Sequence, residues 1–151
     1  MIGSYVDNGE VLYRSVRADC DEYRVDEGRL RITANAFKDS CNKPSVDRSS
    51  MRLDPRESRL GPTDGVASLV TVDVRKIGPL TIAAPGGRVS YAVDVQHRPI
   101  QQSASDVKEN LAHCQIECNP DIKRNHFKKL KEALAYLASQ RGWSVEPSVS
   151  D

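Results

Sequence analysis

Aromatic side chains are scarce in this chain of 151 residues, only 5% of the total. A single-stranded nucleic-acid binder stacks bases on such rings and would find little here to work with. Charge of one sign is missing as well. Lys and Arg number 22 against 21 Asp and Glu, a net charge of +1, and the pI of about 7.7 lies below the value above about 9 of a dedicated nucleic-acid-binding domain. No apolar run approaches the roughly 20 residues that cross a membrane. The start of the chain, Met1 to Gly9, has no basic stretch leading into an apolar one, so no secretion leader is read there. Membrane, extracellular, collagenous and wholly disordered classes are thereby set aside, and a cytoplasmic protein without a membrane partner is expected. A hydrophobic content of 38% and a mean hydropathy of −0.54 fit one globular domain with generous loops.

Motifs for familiar chemistry are lacking too. The cysteines, Cys20, Cys41, Cys114 and Cys118, show no Cys-x2-Cys knuckle of the kind that holds zinc. His97, His113 and His126 are scattered, with neither His-x3-His nor His-Glu-x2-His spacing. No Gly-x-Ser-x-Gly elbow occurs, and Pro85-Gly86-Gly87-Arg88 is too short to cradle a phosphate. No metal and no cofactor are therefore expected.

What is present reads as alternating strands and one helix. Val11–Val16 follows the turn signal Asp7-Asn8-Gly9, with Leu12, Arg14 and Val16 on one face. A charged connection leads to a short strand over residues 28–33 with Leu30 and Ile32 together. Residues 66–75 carry Val66, Val70, Val72 and Val74 and read as the clearest strand. Thr81-Ile82-Ala83 precedes the breaker Pro85-Gly86-Gly87, and residues 89–95 place Val89, Tyr91, Val93 and Val95 inward. Ser105 is a cap for a helical turn over 106–110. In residues 112–118, Ala112, Cys114, Ile116 and Cys118 share one face, which makes the two cysteines small core hydrophobes. His113, Gln115 and Glu117 take the other. A helix is expected over 120–141, with Asn119 as cap and Pro120 in first position. Its stripe is Phe127, Leu130, Leu134 and Leu137, and Gly142 stops it. The fold class is α+β, a mainly antiparallel sheet of short strands packed on the long C-terminal helix. One domain over 1–147 is expected, with a frayed tail at 148–151.

Residues 38–64 lose periodicity and are expected to form an irregular polar segment, the kind of long loop that often carries function. Lys38, Asp39, Ser45, Asp47, Arg48, Ser49 and Ser50 gather charge and hydroxyls there. They are the candidate partner-binding residues, and equally the makers of Asx and Ser turns. His113 is a candidate general base. Arg124, Lys128 and Lys131 lie off the leucine stripe and form a candidate phosphate-contacting face for RNA.

Two resemblances add to this. The order Leu12-Tyr13-Arg14, Ala36-Phe37-Lys38-Asp39, Ser45-Val46-Asp47-Arg48, Gly65-Val66-Ala67-Ser68 and Ala112-His113-Cys114 resembles a family of small bacterial proteins of no assigned function. Leu12-Tyr13-Arg14 at the start of a small α+β domain also looks like the opening of RES-type toxins, relatives of ADP-ribosyltransferases. That likeness implies an NAD-consuming enzyme with Arg14 at the cofactor; Ser49 and His113 are this reading's own candidates for the cleft of such an enzyme. The leading expectation is a non-catalytic module that binds a protein partner through 38–64. NAD is called for only under the enzyme alternative, and RNA binding by the helix is the third reading.

Overall fold

The computed structural model describes residues 3–18, 21–101 and 108–148. In chain order the elements are β1 (Val11–Val16), β2 (Tyr23–Asp26), β3 (Arg29–Ile32), β4 (Ser45–Arg48), β5 (Gly65–Val70), α1 (Thr71–Arg75), β6 (Leu80–Ala84), β7 (Gly87–His97), β8 (His113–Asn119), α2 (Phe127–Arg141) and β9 (Trp143–Val145). Seven strands form one sheet in the order β6-β7-β8-β4-β1-β5-β9, and β2 with β3 forms a separate hairpin. Every neighbouring pair of the large sheet is antiparallel. The chain is α+β.

One face of the sheet makes the core. Leu12 lies opposite Leu69, Val46 opposite Cys114, and Val95 opposite Ile116. These residues join Phe127, Leu130, Leu134 and Ala138 of α2 in one buried cluster. Leu130 and Leu134 are fully buried, and each contributes about 1.5–3 kcal/mol by leaving water. Cys114 and Cys118 sit in the same layer, as the alternation of β8 requires. Gly142 ends α2 with φ +78°, a backbone that favours glycine. Trp143 and Val145 then fold back as an edge strand on β5.

Several expectations are corrected. The helix starts at Phe127 rather than Pro120. Asn119 closes β8 instead of capping a helix, and the Asn119–Pro120 peptide is cis. The intervening link buries Ile122 in the core, and Asn42 Nδ2 holds its carbonyl at 3.2 Å. The strand expected over 66–75 ends at Val70, and residues 71–75 are helical. The reason is pairing: Val11 opposite Val70 is the last pair that β1 offers. Beyond it, Thr71 and Val72 donate their amides to Glu10 and Asn8 of the N-terminal turn, so tertiary contacts override the β-preference of the valines.

The charged connection after β1 contains β2, tied to β3 through Glu27 and Gly28, both at positive φ (52° and 78°), as a tight hairpin turn requires. Residues 38–64 are not irregular throughout. Ser45–Arg48 is the central strand of the sheet, followed by 3-10 turns at Ser49–Met51 and Pro55–Ser58. The second turn has a capping box in which Asp54 accepts from the Arg56 amide and Glu57 from the Asp54 amide. Of the helical turn expected behind Ser105, the cap and residues 106–107 lie outside those described, and residues 108–110 are not helical, because Asn110 pairs with Ile100 in an antiparallel bridge.

Candidate functional site

The face of the sheet turned away from α2 is polar in its centre. Tyr13, Asp47 and His113 lie side by side across β1, β4 and β8. Residues 52–60 and the pair Ile100 and Asn110, joined by two backbone hydrogen bonds of 2.8 Å, enclose this row. The result is a cleft of about 480 Å³, within the roughly 300–1,000 Å³ of small-molecule sites. Its wall includes Arg14, Lys38, Ser45, Arg52, Ser58 and Leu60 besides the central row.

Asp47 anchors one end. Its Oδ2 accepts from Arg52 Nη2 at 3.1 Å and its Oδ1 from Asn110 Nδ2 at 2.9 Å. The same Arg52 nitrogen reaches Asn110 Oδ1 at 2.8 Å, which closes a three-residue ring. Arg52 Nε and the Oγ of Ser58, a residue only 6% exposed, are buried without a partner among the described residues. Orphaned buried donors are uncommon in a folded chain, and here both belong to the cleft wall.

His113 anchors the other end. Its Nδ1 is 2.8 Å from the carbonyl oxygen of Arg98, and its Nε2 is 2.9 Å from Ser45 Oγ. A carbonyl only accepts, so Nδ1 carries the ring proton and Nε2 is left to accept the Ser45 hydroxyl. The imidazole is 9% exposed, fixed in ring orientation and in tautomer.

Arg14 holds this arrangement from the side. Its Nε donates to Ala36 O at 2.8 Å, Nη1 to Ser45 O at 2.8 Å and Nη2 to Lys38 O at 3.1 Å. The guanidinium thus clamps the segment leading into β4. Burial draws its pKa down, opposed by the carboxylates of Glu22, Asp39 and Asp47.

The structure therefore brings together five of the residues singled out in the sequence: Arg14, Lys38, Ser45, Asp47 and His113. Lys38 pairs with Glu22 at 3.6 Å. The others are placed elsewhere. Asp39 is a turn former whose Oδ2 accepts the amides of Cys41 and Lys43. Arg48 points into the opposite face, where Glu10 neutralises it. Ser50 donates its amide and hydroxyl to Glu10. Ser49 starts the 3-10 turn and accepts the Arg52 amide, so the serine beside His113 is Ser45. Arg52, Ser58 and Asn110 were missed: Arg52 lies five residues from Asp47 in a stretch with no periodicity, Asn110 comes to Asp47 from 63 residues away, and Ser58 joins the cleft wall only through the fold.

The basic residues of α2 and its approach do not line the cleft. Arg124 donates to Asp39 O and Asn42 Oδ1, both at 2.8 Å, Lys128 pairs with Glu132 at 3.8 Å, and Lys131 rests 5.1 Å from the centre of the Phe127 ring. Among the described residues no three His, Cys, Asp or Glu side chains converge as a metal ion would need. No described helix is long and apolar enough to cross a membrane.

No family model matches this chain, and no curated protein and no solved structure matches it.

Proposed function

We propose that this chain is a binding module of the bacterial cytoplasm that engages a protein partner through the 49–64 segment and the cleft beneath it. The observation that carries the reading is the pair Leu53 and Leu60. Leu53 is 101% exposed and Leu60 90%, and Leu60 stands on the cleft wall. Both are offered on fixed backbone: the Leu53 amide donates to Glu57 Oε1 at 2.8 Å and the Leu60 amide to Ser15 Oγ at 3.1 Å. Apolar side chains held in water on a pinned segment are pre-organised to enter a partner, since little backbone order is lost on docking. Arg56, Glu57, Lys108 and Glu109 on the same segment and the facing wall are exposed and of both signs, which suits apolar anchors set among mixed charge.

The NAD-consuming and RNA-binding alternatives gain less support. Arg14 directs three donors to carbonyls of its own chain, and Arg124 is occupied with the 39–42 turn.

The test is capture from lysate on wild-type protein and on the Leu53→Asp, Leu60→Asp double variant, each with and without nuclease. A stoichiometric protein retained by wild type and lost from the folded variant supports the reading. A partner held equally by both, or one recovered only when nuclease is omitted, overturns it.

A further inference from the structure

We infer that the cleft also carries a nucleophile, Ser45, with His113 as its general base, and that it transfers acyl groups from small carboxylic esters. The geometry is that of an activated hydroxyl. Ser45 Oγ and His113 Nε2 are 2.9 Å apart, within the reach of proton transfer. The base is oriented by a third group, the Arg98 carbonyl at 2.8 Å, which forces the tautomer that accepts at Nε2 and stabilises the imidazolium once it forms. Arg14 fixes the backbone of the nucleophile through the Ser45 carbonyl.

A purely structural Ser–His contact accounts for the distance but not for the rest of the wall. Arg52 and Ser58, whose Nε and Oγ are buried donors without a partner among the described residues, both contribute to the wall of the cavity that holds the Ser–His pair. Unpaired donors in the wall of such a site are what a developing oxyanion requires. A site of about 480 Å³ accommodates an ester with a short acyl chain.

The reaction balances within the site. Ser45 Oγ bonds to the ester carbonyl carbon while its proton passes to His113 Nε2, and the carbonyl π electrons move to oxygen. Collapse of this adduct breaks the bond to the leaving oxygen, which takes the proton from His113 and departs as an alcohol. A water molecule then adds to the acyl-Ser45 carbonyl and gives its proton to His113. Ser45 regains that proton as the carboxylic acid leaves.

The decisive experiment treats the whole chain with a fluorophosphonate probe, maps the adduct by peptide mass spectrometry, and follows hydrolysis of p-nitrophenyl butyrate in parallel. The expected result is one adduct, on Ser45. Labelling and turnover are both lost in Ser45→Ala and fall at least about 100-fold in His113→Gln. Ser90→Ala, on the remote β6–β7 hairpin, reacts like wild type. Mapping the adduct on unaltered protein needs no variant to fold. No adduct, an adduct on another residue, or turnover that survives in Ser45→Ala overturns the inference. None of these outcomes bears on the partner reading, which Leu53 and Leu60 decide.

Discussion

Arg48 and Glu10 form a buried ion pair, Nη2 to Oε1 at 2.9 Å, with Nε 3.2 Å from each carboxylate oxygen. Their side chains are 2% and 8% exposed. The pair ties the turn before β1 to the end of the central strand. The remaining Arg48 donors reach the carbonyls of Gly3 and Tyr5 at 2.6 and 3.3 Å.

Glu10→Gln leaves the Arg48 charge buried without its counter-charge, and the expected loss at pH 7 is about 3 kcal/mol. Burial pushes the Glu10 pKa up, but hydrogen bonds from Arg48 and Ser50 outweigh it, so the carboxyl titrates below its ordinary value of 4.5. A group depressed by folding adds stability that is complete above its unfolded pKa and is lost as pH falls through its folded one. The urea midpoints of wild type and variant should therefore differ at pH 7 and converge below pH 4.5. A gap of constant size between pH 7 and pH 3 would refute this account of the pair.

The thiols divide by burial. Removal from water pushes Cys114 up to about 12 and Cys118 up to about 11, from the usual 9.0. Asp121 adds to the rise at Cys118. At Cys114, Glu10 and Asp47 reinforce burial while Arg48 opposes it. Cys41 is exposed. Since the thiolate is the reactive form, iodoacetamide at pH 8 should alkylate Cys41 in the native chain and reach Cys114 and Cys118 only in denaturant. Peptide mapping reads this directly. Native alkylation of Cys114 at the rate of Cys41 would mean that the core of β8 opens far more readily than its packing implies.

Where the buried residues of an element are apolar and close in sequence, their period exposes it. Residues 112–118 and the stripe Phe127, Leu130, Leu134 are legible for that reason, and so is the placement of His113 opposite the cysteines. β4 is the contrary case. Two of its four residues, Asp47 and Arg48, are buried charges; Arg52 neutralises Asp47 from five residues away, but Asn110, which completes that ring, and Glu10, which neutralises Arg48, lie far away in the chain. A window of sequence registers only polarity there and reads a loop. The same gap hides the right serine. Alternation places Ser45 and Asp47 on one face, but the register that sets Asp47 beside His113 comes from pairing β4 with β8, so Ser49 looks as good as Ser45 until the strands are joined.

Arg14 offers the sharpest test of how the cleft is held. Three nitrogens of one planar fork reach three carbonyls, those of Ala36, Lys38 and Ser45, at 2.8, 3.1 and 2.8 Å. Lysine keeps the charge but replaces the fork with a single ammonium, which cannot span all three acceptors. Arg14→Lys should therefore cost about 3 kcal/mol, two charge-assisted hydrogen bonds at about 1.5 kcal/mol each. The loss should be local as well as global, because the carbonyls set free belong to the segment that leads into β4. Hydrogen exchange should quicken over residues 36–46 while the β6–β7 hairpin, which makes no contact with Arg14, keeps its protection. Urea melting measures the first effect and peptide-resolved exchange the second. A variant as stable as wild type, or one whose exchange rises evenly through the sheet, would show that the segment is held in place without the Arg14 clamp.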